Sequence, residues 1–167
     1  MSEINEKYIK SLISLKEDYW ENDFNTNCYA FALGLDIPEE EICKNAYQLG
    51  FIAAKKFNIS IQEVLKLSLE DRFLLDLKAI KIAYYEIDEE QPAGMYHLGN
   101  YVCHHWDISL YSNGKDFHFV RCNYNGELYH KVGNLGVPKK CEETIEYLTQ
   151  YRLIRKYRLR YWEKENL

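Results

Sequence analysis

The sequence predicts an α+β protein, with helices in its first half and an antiparallel meander in its second. Three observations carry this. Apolar residues recur at helical spacing up to about Leu77. From Val102 onward, β-branched and aromatic residues dominate and alternate with polar ones. Two turn sequences, Ser112-Asn113-Gly114-Lys115 and Asn123-Tyr124-Asn125-Gly126, divide that second half into strands.

The elements follow in order. Between Ile4 and Leu15, the residues Tyr8, Leu12 and Leu15 share one helical face. A polar cluster, residues 22–27, then precedes the apolar run from Cys28 to Leu33, a short helix that Gly34 ends. Pro38 suits a first helical position and Glu39 to Glu41 a helix N-terminus, predicting a helix that runs to about Phe57. Ser60 caps the next helix, Ile61 to about Leu67. Ser68 with Asp71 opens another, Leu69 to Leu77. Strands are expected at Ile80–Tyr85, Val102–Tyr111, Asp116–Arg121 and Glu127–Lys131, before Gly133, Gly136 and Pro138 break the pattern. Glu142 to Tyr151 reads as helix, and the alternation of Tyr157, Leu159 and Tyr161 as a last strand.

Composition narrows the class. The 167 residues carry a net charge of −5, which disfavours a nucleic-acid binder, since such a domain needs cations to neutralise phosphates. A chain of this size buries enough surface to fold without disulfides or a structural metal. No apolar run is long enough to span a membrane. The N-terminal sequence has no apolar signal core, and the five cysteines show no C-x-x-C spacing. A reduced cytoplasmic setting is therefore expected, with signal-independent export left open. The basic run Arg152, Arg155, Lys156, Arg158 and Arg160 is either a solvated face or a surface for a protein partner.

One set of residues points to chemistry. Cys28 opens a helix, where unpaired amides and the positive end of the dipole favour a thiolate. The apolar run behind it would bury the helix and hold Cys28 rigidly; the plain alternative is an inert core cysteine. His118 alternates with Phe117 and Phe119, so its ring points away from both. A histidine fixed on a strand opposite a cysteine at a helix tip is a nucleophile–base arrangement. His130 lies on the next strand. A strict two-residue turn at Asn125-Gly126 sets position 118 opposite 133 and misses His130 by three places, a gap that a bulge or longer loop narrows. His130 would then orient His118, with Asn123 as the other candidate. Asn25 or Asn27 could donate to an oxyanion beside the Cys28 amide, or simply cap the helix. Cys103, His105 and Asp107 share a strand face, but His104 and His105 point oppositely. Neither a metal site nor a cofactor is expected.

These residues resemble a papain-like group. The run Asn27-Cys28-Tyr29-Ala30-Phe31-Ala32-Leu33, with Asp116-Phe117-His118-Phe119-Val120-Arg121, Asn125-Gly126 and Tyr129-His130-Lys131 further on, is similar to NlpC-like cysteine peptidases of bacteria and phages. The resemblance spans roughly Asn25 to Gly136, and Asn27 departs from the family's usual Asp. It implies a single domain with a papain-like core at about 22–138, a helical segment at 1–21 and a basic segment at 139–167. It implies Cys28 as nucleophile, His118 as base and His130 as orienter. The expected activity is thiol hydrolysis of a peptide or amide bond, with cell-wall peptide among the candidate substrates. The alternative is a non-catalytic interaction, toxin or phage-system protein that keeps the scaffold.

Overall fold

The computed structural model describes residues 27–34, 48–132, 138–142 and 146–165. The expected N-terminal helix, Glu39 to Glu41, Asn25, Gly133 and Gly136 lie outside them. The described residues form an α+β architecture of five helices and a seven-stranded antiparallel sheet.

Helix α1 spans Cys28–Leu33. The Asn27 side-chain oxygen accepts from the Ala30 amide at 3.0 Å, and Gly34, at φ 67°, closes the other end. Every side chain of α1 is buried, so the helix is held by tertiary packing. Tyr29 stacks on Phe119 with ring centroids 5.4 Å apart, and Trp106 donates to the Ala32 carbonyl at 2.8 Å.

Helix α2 is Phe51–Phe57, and residues 48–50 before it are a turn, not a continuation of a helix from Pro38. Gly50 makes that turn: its φ is 88°, and a Cβ there would meet Val64 Cγ1 at 2.3 Å. Helix α3, Ile61–Val64, keeps the Ser60 cap but stops short of Leu67. Helix α4 is Leu69–Ala79, two residues longer than the pattern gave, and Ser68 accepts from the Asp71 amide at 3.0 Å as expected.

The strands are β1 Ala83–Ile87, β2 Gly94–Leu98, β3 Tyr101–Ser112, β4 Phe117–Cys122, β5 Leu128–His130, β6 Lys139–Cys141 and β7 Arg152–Lys164. The strand expected at Ile80 begins later, because Ile80 ends α4 and Lys81 takes φ 58°. The order is β1-β7-β3-β4-β5-β6, with β2 also pairing β3. The last helix, α5, is Glu146–Thr149 among the described residues, so it ends before Tyr151, and Glu142 is not helical.

The basic run is thus a strand between β1 and β3. Asp107 receives Arg158 at 2.7 and 2.8 Å, Glu90 receives Lys156 at 2.9 Å, and Glu70 and Glu86 receive Arg155 at 2.9 and 3.0 Å.

Strand β4 is buried on both faces. Phe119 faces the main core with Tyr29, Phe73, Trp106, Tyr157 and Leu159. Val120 faces a smaller cluster with Tyr111, Cys141 and Leu148, flanked by Tyr147 and Tyr151. Two covered faces explain why five of its six residues are buried. Among the described residues, no helix is long and apolar enough to cross a membrane.

Candidate active site

Cys28 is the first residue of α1 and is 7% exposed. The backbone amides of Phe119, Tyr29 and Cys28 itself favour a thiolate at its sulfur. Burial outweighs them and, with the charge of Asp116, pushes the thiol up to about 12. The Phe119 contact locates the sulfur, because Phe119 directly follows His118. Although the His118 ring lies on the opposite face of β4 from Tyr29, the sulfur meets the strand backbone beside it.

His118 is 1% exposed, and its Nε2 lies 2.9 Å from His130 Nδ1, with the two rings perpendicular and 5.1 Å apart. That bond engages the far nitrogen of His118. Its Nδ1, the nitrogen nearer its own backbone, is not the one bonded to His130. Burial, then the neighbouring His130, pushes His118 down to about 3. Burial and Lys139 lower His130 as well. Both imidazoles are therefore neutral at pH 7, and one nitrogen of the bonded pair donates while the other accepts.

The hairpin register brings the two histidines together. Cys122 faces Leu128 and Val120 faces His130, so five residues, 123–127, form the loop instead of the two-residue turn. Asn123 sets this loop: its side-chain oxygen accepts from Asn125 at 3.1 Å and Glu127 at 3.3 Å. Position 118 therefore falls diagonal to His130 on the same face. The two-residue register would have placed His130 opposite Arg121, on the wrong face. Asn123 is thereby a turn residue, not the orienter.

Asn27 uses its oxygen as the helix cap. Cys103, His105 and Asp107 do not converge on an ion: Asp107 is taken by Arg158, and His105 packs beside Tyr96. Among the described residues, no group of three His, Cys, Asp or Glu has metal-binding geometry.

Three residues join the site without having been singled out. Tyr147 lies 4.8 Å from His118 and 5.5 Å from His130, and Tyr151 stacks on His118 at 5.8 Å. Burial, then Tyr147 and the charges of Asp116 and Cys28, push the Tyr151 hydroxyl up. Tyr147 lies in α5 and Tyr151 beyond its end, so no helical spacing signalled the pair. Asp116 had no signal beyond its place two residues before His118. Compared with family models, curated proteins and solved structures, the chain matches none.

Proposed function

We propose that the chain is a thiol hydrolase acting on an amide or peptide bond, on a papain-like scaffold of the NlpC-like kind. Cys28 is the nucleophile, His118 the base and His130 the residue that orients it. The observation that carries this reading is the buried His118–His130 bond on the strand whose Phe119 amide favours a thiolate at Cys28. A solvated strand histidine needs no such partner, and two buried imidazoles need a reason to be there.

The proton inventory gives the mechanism its form. Thiol and imidazole rest as a neutral pair, so the proton leaves Cys28 only as the sulfur attacks. His118 takes that proton at Nδ1, and its Nε2–H donates to His130 Nδ1. His130 stays neutral and able to accept because its own protonation is disfavoured. The sulfur adds to the carbonyl carbon, the oxyanion forms near the Cys28 amide, and His118 returns the proton to the departing amine. Water, deprotonated by His118, then releases the acid and regenerates the thiol. Transfer to another amine instead of water is the same chemistry with a different second nucleophile.

A second reading has its own observation. A cysteine that is 7% exposed, with its thiol pushed up to about 12, also suits a packing residue in a non-catalytic interaction module. One experiment separates the two readings. Muropeptides and cytosolic proteome are incubated with wild type, Cys28→Ala and His118→Ala, and iodoacetamide labelling of Cys28 is followed by peptide mass. The hydrolase reading expects new amide cleavage products from wild type alone, and slower Cys28 labelling in His118→Ala. Cleavage that survives in Cys28→Ala overturns it. Labelling indifferent to His118, with no cleavage, supports the module.

A further inference from the structure

We propose that two copies of this chain associate through the outer edge of β1, the two β1 strands pairing antiparallel across a twofold axis at Tyr85. The inference stands apart from the thiol-hydrolase reading, because β7 and β3 lie between β1 and β4 in the sheet.

The geometry begins with the edge itself. Strand β1 ends the sheet order, and among the described residues only β7 pairs with it. Alternate residues of Ala83–Ile87 therefore turn their amides and carbonyls outward, a template for another strand. Exposed edges are usually blunted by lysine, glycine, proline or shortness. Strand β6, at the other end of the order, is three residues long and carries Lys139 and Lys140. Strand β2 starts at Gly94 and stops beside the Gly99 turn. Strand β1 has none of these devices. Four of its five residues are exposed, and its one charge, Glu86, accepts from Arg155 at 3.0 Å.

The residues of β1 fit a second copy of themselves. A twofold axis at Tyr85 is the register that pairs the whole strand: Tyr85 faces Tyr85 of the second copy, Tyr84 faces Glu86, and Ala83 faces Ile87. Tyr84 packs on Tyr157 of the core, so Ala83, Tyr85 and Ile87 share the opposite face. On that face every cross-strand pair is apolar or aromatic. Just outside the strand, the same register sets exposed Lys81 opposite exposed Glu89, twice by symmetry. An axis at Glu86 would set two carboxylates face to face. An axis at Tyr84 would leave Lys81 opposite Ile87. Charge therefore selects the register that also pairs most of the strand.

Apolar surface lies beside this edge. A groove of about 620 Å³ runs between α4 and β1, lined by Leu67, Leu74, Leu75, Ile82 and Tyr84. An axis perpendicular to the sheet keeps both α4 helices on one face, so the two grooves adjoin.

Sedimentation equilibrium of the full chain tests this, with circular dichroism to show that each variant is folded. Wild type is expected to dimerise with a Kd on the order of 10 μM, as suits a small contact. Tyr85→Glu keeps an acceptor for Arg158 and Arg160 but opposes two carboxylates on the axis. It should weaken the dimer by about tenfold or more. Lys81→Glu changes an exposed side chain and sets it against Glu89; it should weaken the dimer about fivefold, and adding Glu89→Lys should restore it. If Tyr85→Glu does not fold, the Lys81 and Glu89 variants decide alone. A wild type that stays monomeric up to about 100 μM overturns the inference. So does a dimer whose Kd the folded variants leave unmoved.

Discussion

His118 Nε2 and His130 Nδ1 meet at 2.9 Å across neighbouring strands, inside a cluster walled by Tyr147 and Tyr151. The bond ties the two tautomers together: with His130 Nδ1 as acceptor, His118 carries its proton on Nε2 and keeps Nδ1 open. Replacing His130 by Ala removes that acceptor and frees the ring. We expect cleavage to fall by about 10²–10⁴-fold, as loss of an orienting partner does in hydrolytic triads. His130→Asn, which keeps an acceptor oxygen, should recover part of the loss. Ring nitrogen shifts of His118 by NMR check the cause: one tautomer in wild type, a mixture in His130→Ala. An unchanged single tautomer in His130→Ala would sink this account.

Stability should depend on pH with a definite sign. His118 is held at about 3 in the folded protein against about 6.5 when unfolded. Between those values the unfolded chain binds more protons, so stability is full above about pH 6.5 and is lost as pH falls toward 3. Asp76 acts oppositely. Burial raises it to about 6, so it favours the fold below its unfolded value and withdraws that support as pH rises through 6. By pH 4 His118 withdraws about 3 kcal/mol and Asp76 returns about 2 kcal/mol, so the histidine prevails by about 1 kcal/mol. Urea midpoints at pH 4, 5.5 and 7 measure this, and His118→Gln should flatten the acid limb. A wild-type midpoint that rises on acidification contradicts the sign.

Asp76 links the helices to the site residue next to Cys28. Its carboxylate accepts from Tyr29, from the Gly50 amide at 2.7 Å and from the Ala53 amide at 2.8 Å. It therefore ties α4 to the start of α2 and to α1. Asp76→Ala leaves three buried donors without an acceptor and should lower stability by about 3–5 kcal/mol. Tyr29→Phe removes only one donor and should cost about 1–2 kcal/mol. Equal losses in the two variants would mean the backbone amides find other acceptors.

Local signals in the sequence were reliable wherever one residue did one job. Asn27, Ser60 and Ser68 cap helices because their side chains satisfy amides three residues on. The strand of Tyr157, Leu159 and Tyr161 was legible from its alternation. The signals ended where distant residues decide. Residues 48–50 turn at Gly50, whose φ of 88° and close approach to Val64 only the tertiary structure reveals. Asn123 enlarges the hairpin by accepting two amides, and this small change puts both histidines on one face. The Asn-Gly pair alone favoured the shorter turn. Tyr151 reaches the site through the packing of the segment around α5 on β4, which no short-range spacing encodes.

Arg121 offers a last prediction because its environment opposes its charge. It is fully buried, donates to the Phe31 carbonyl at 3.1 Å, and lies over the Trp106 ring at 5.3 Å. Among the described residues its Nε and Nη2 atoms have no hydrogen-bond partner, and burial lowers its pKa to about 9. The guanidinium is favourable at the C-terminal end of α1, where carbonyls collect negative charge. Two unsatisfied nitrogens and the desolvated charge work against that gain. Arg121→Met keeps most of the volume over Trp106 and removes the charge, so stability should change by less than about 1 kcal/mol. Arg121→Ala leaves a cavity beneath Trp106 and should cost about 2–4 kcal/mol. Urea unfolding of both variants decides. If Met is as damaging as Ala, the charge at the end of α1 holds the helix, and with it Cys28, more strongly than packing does.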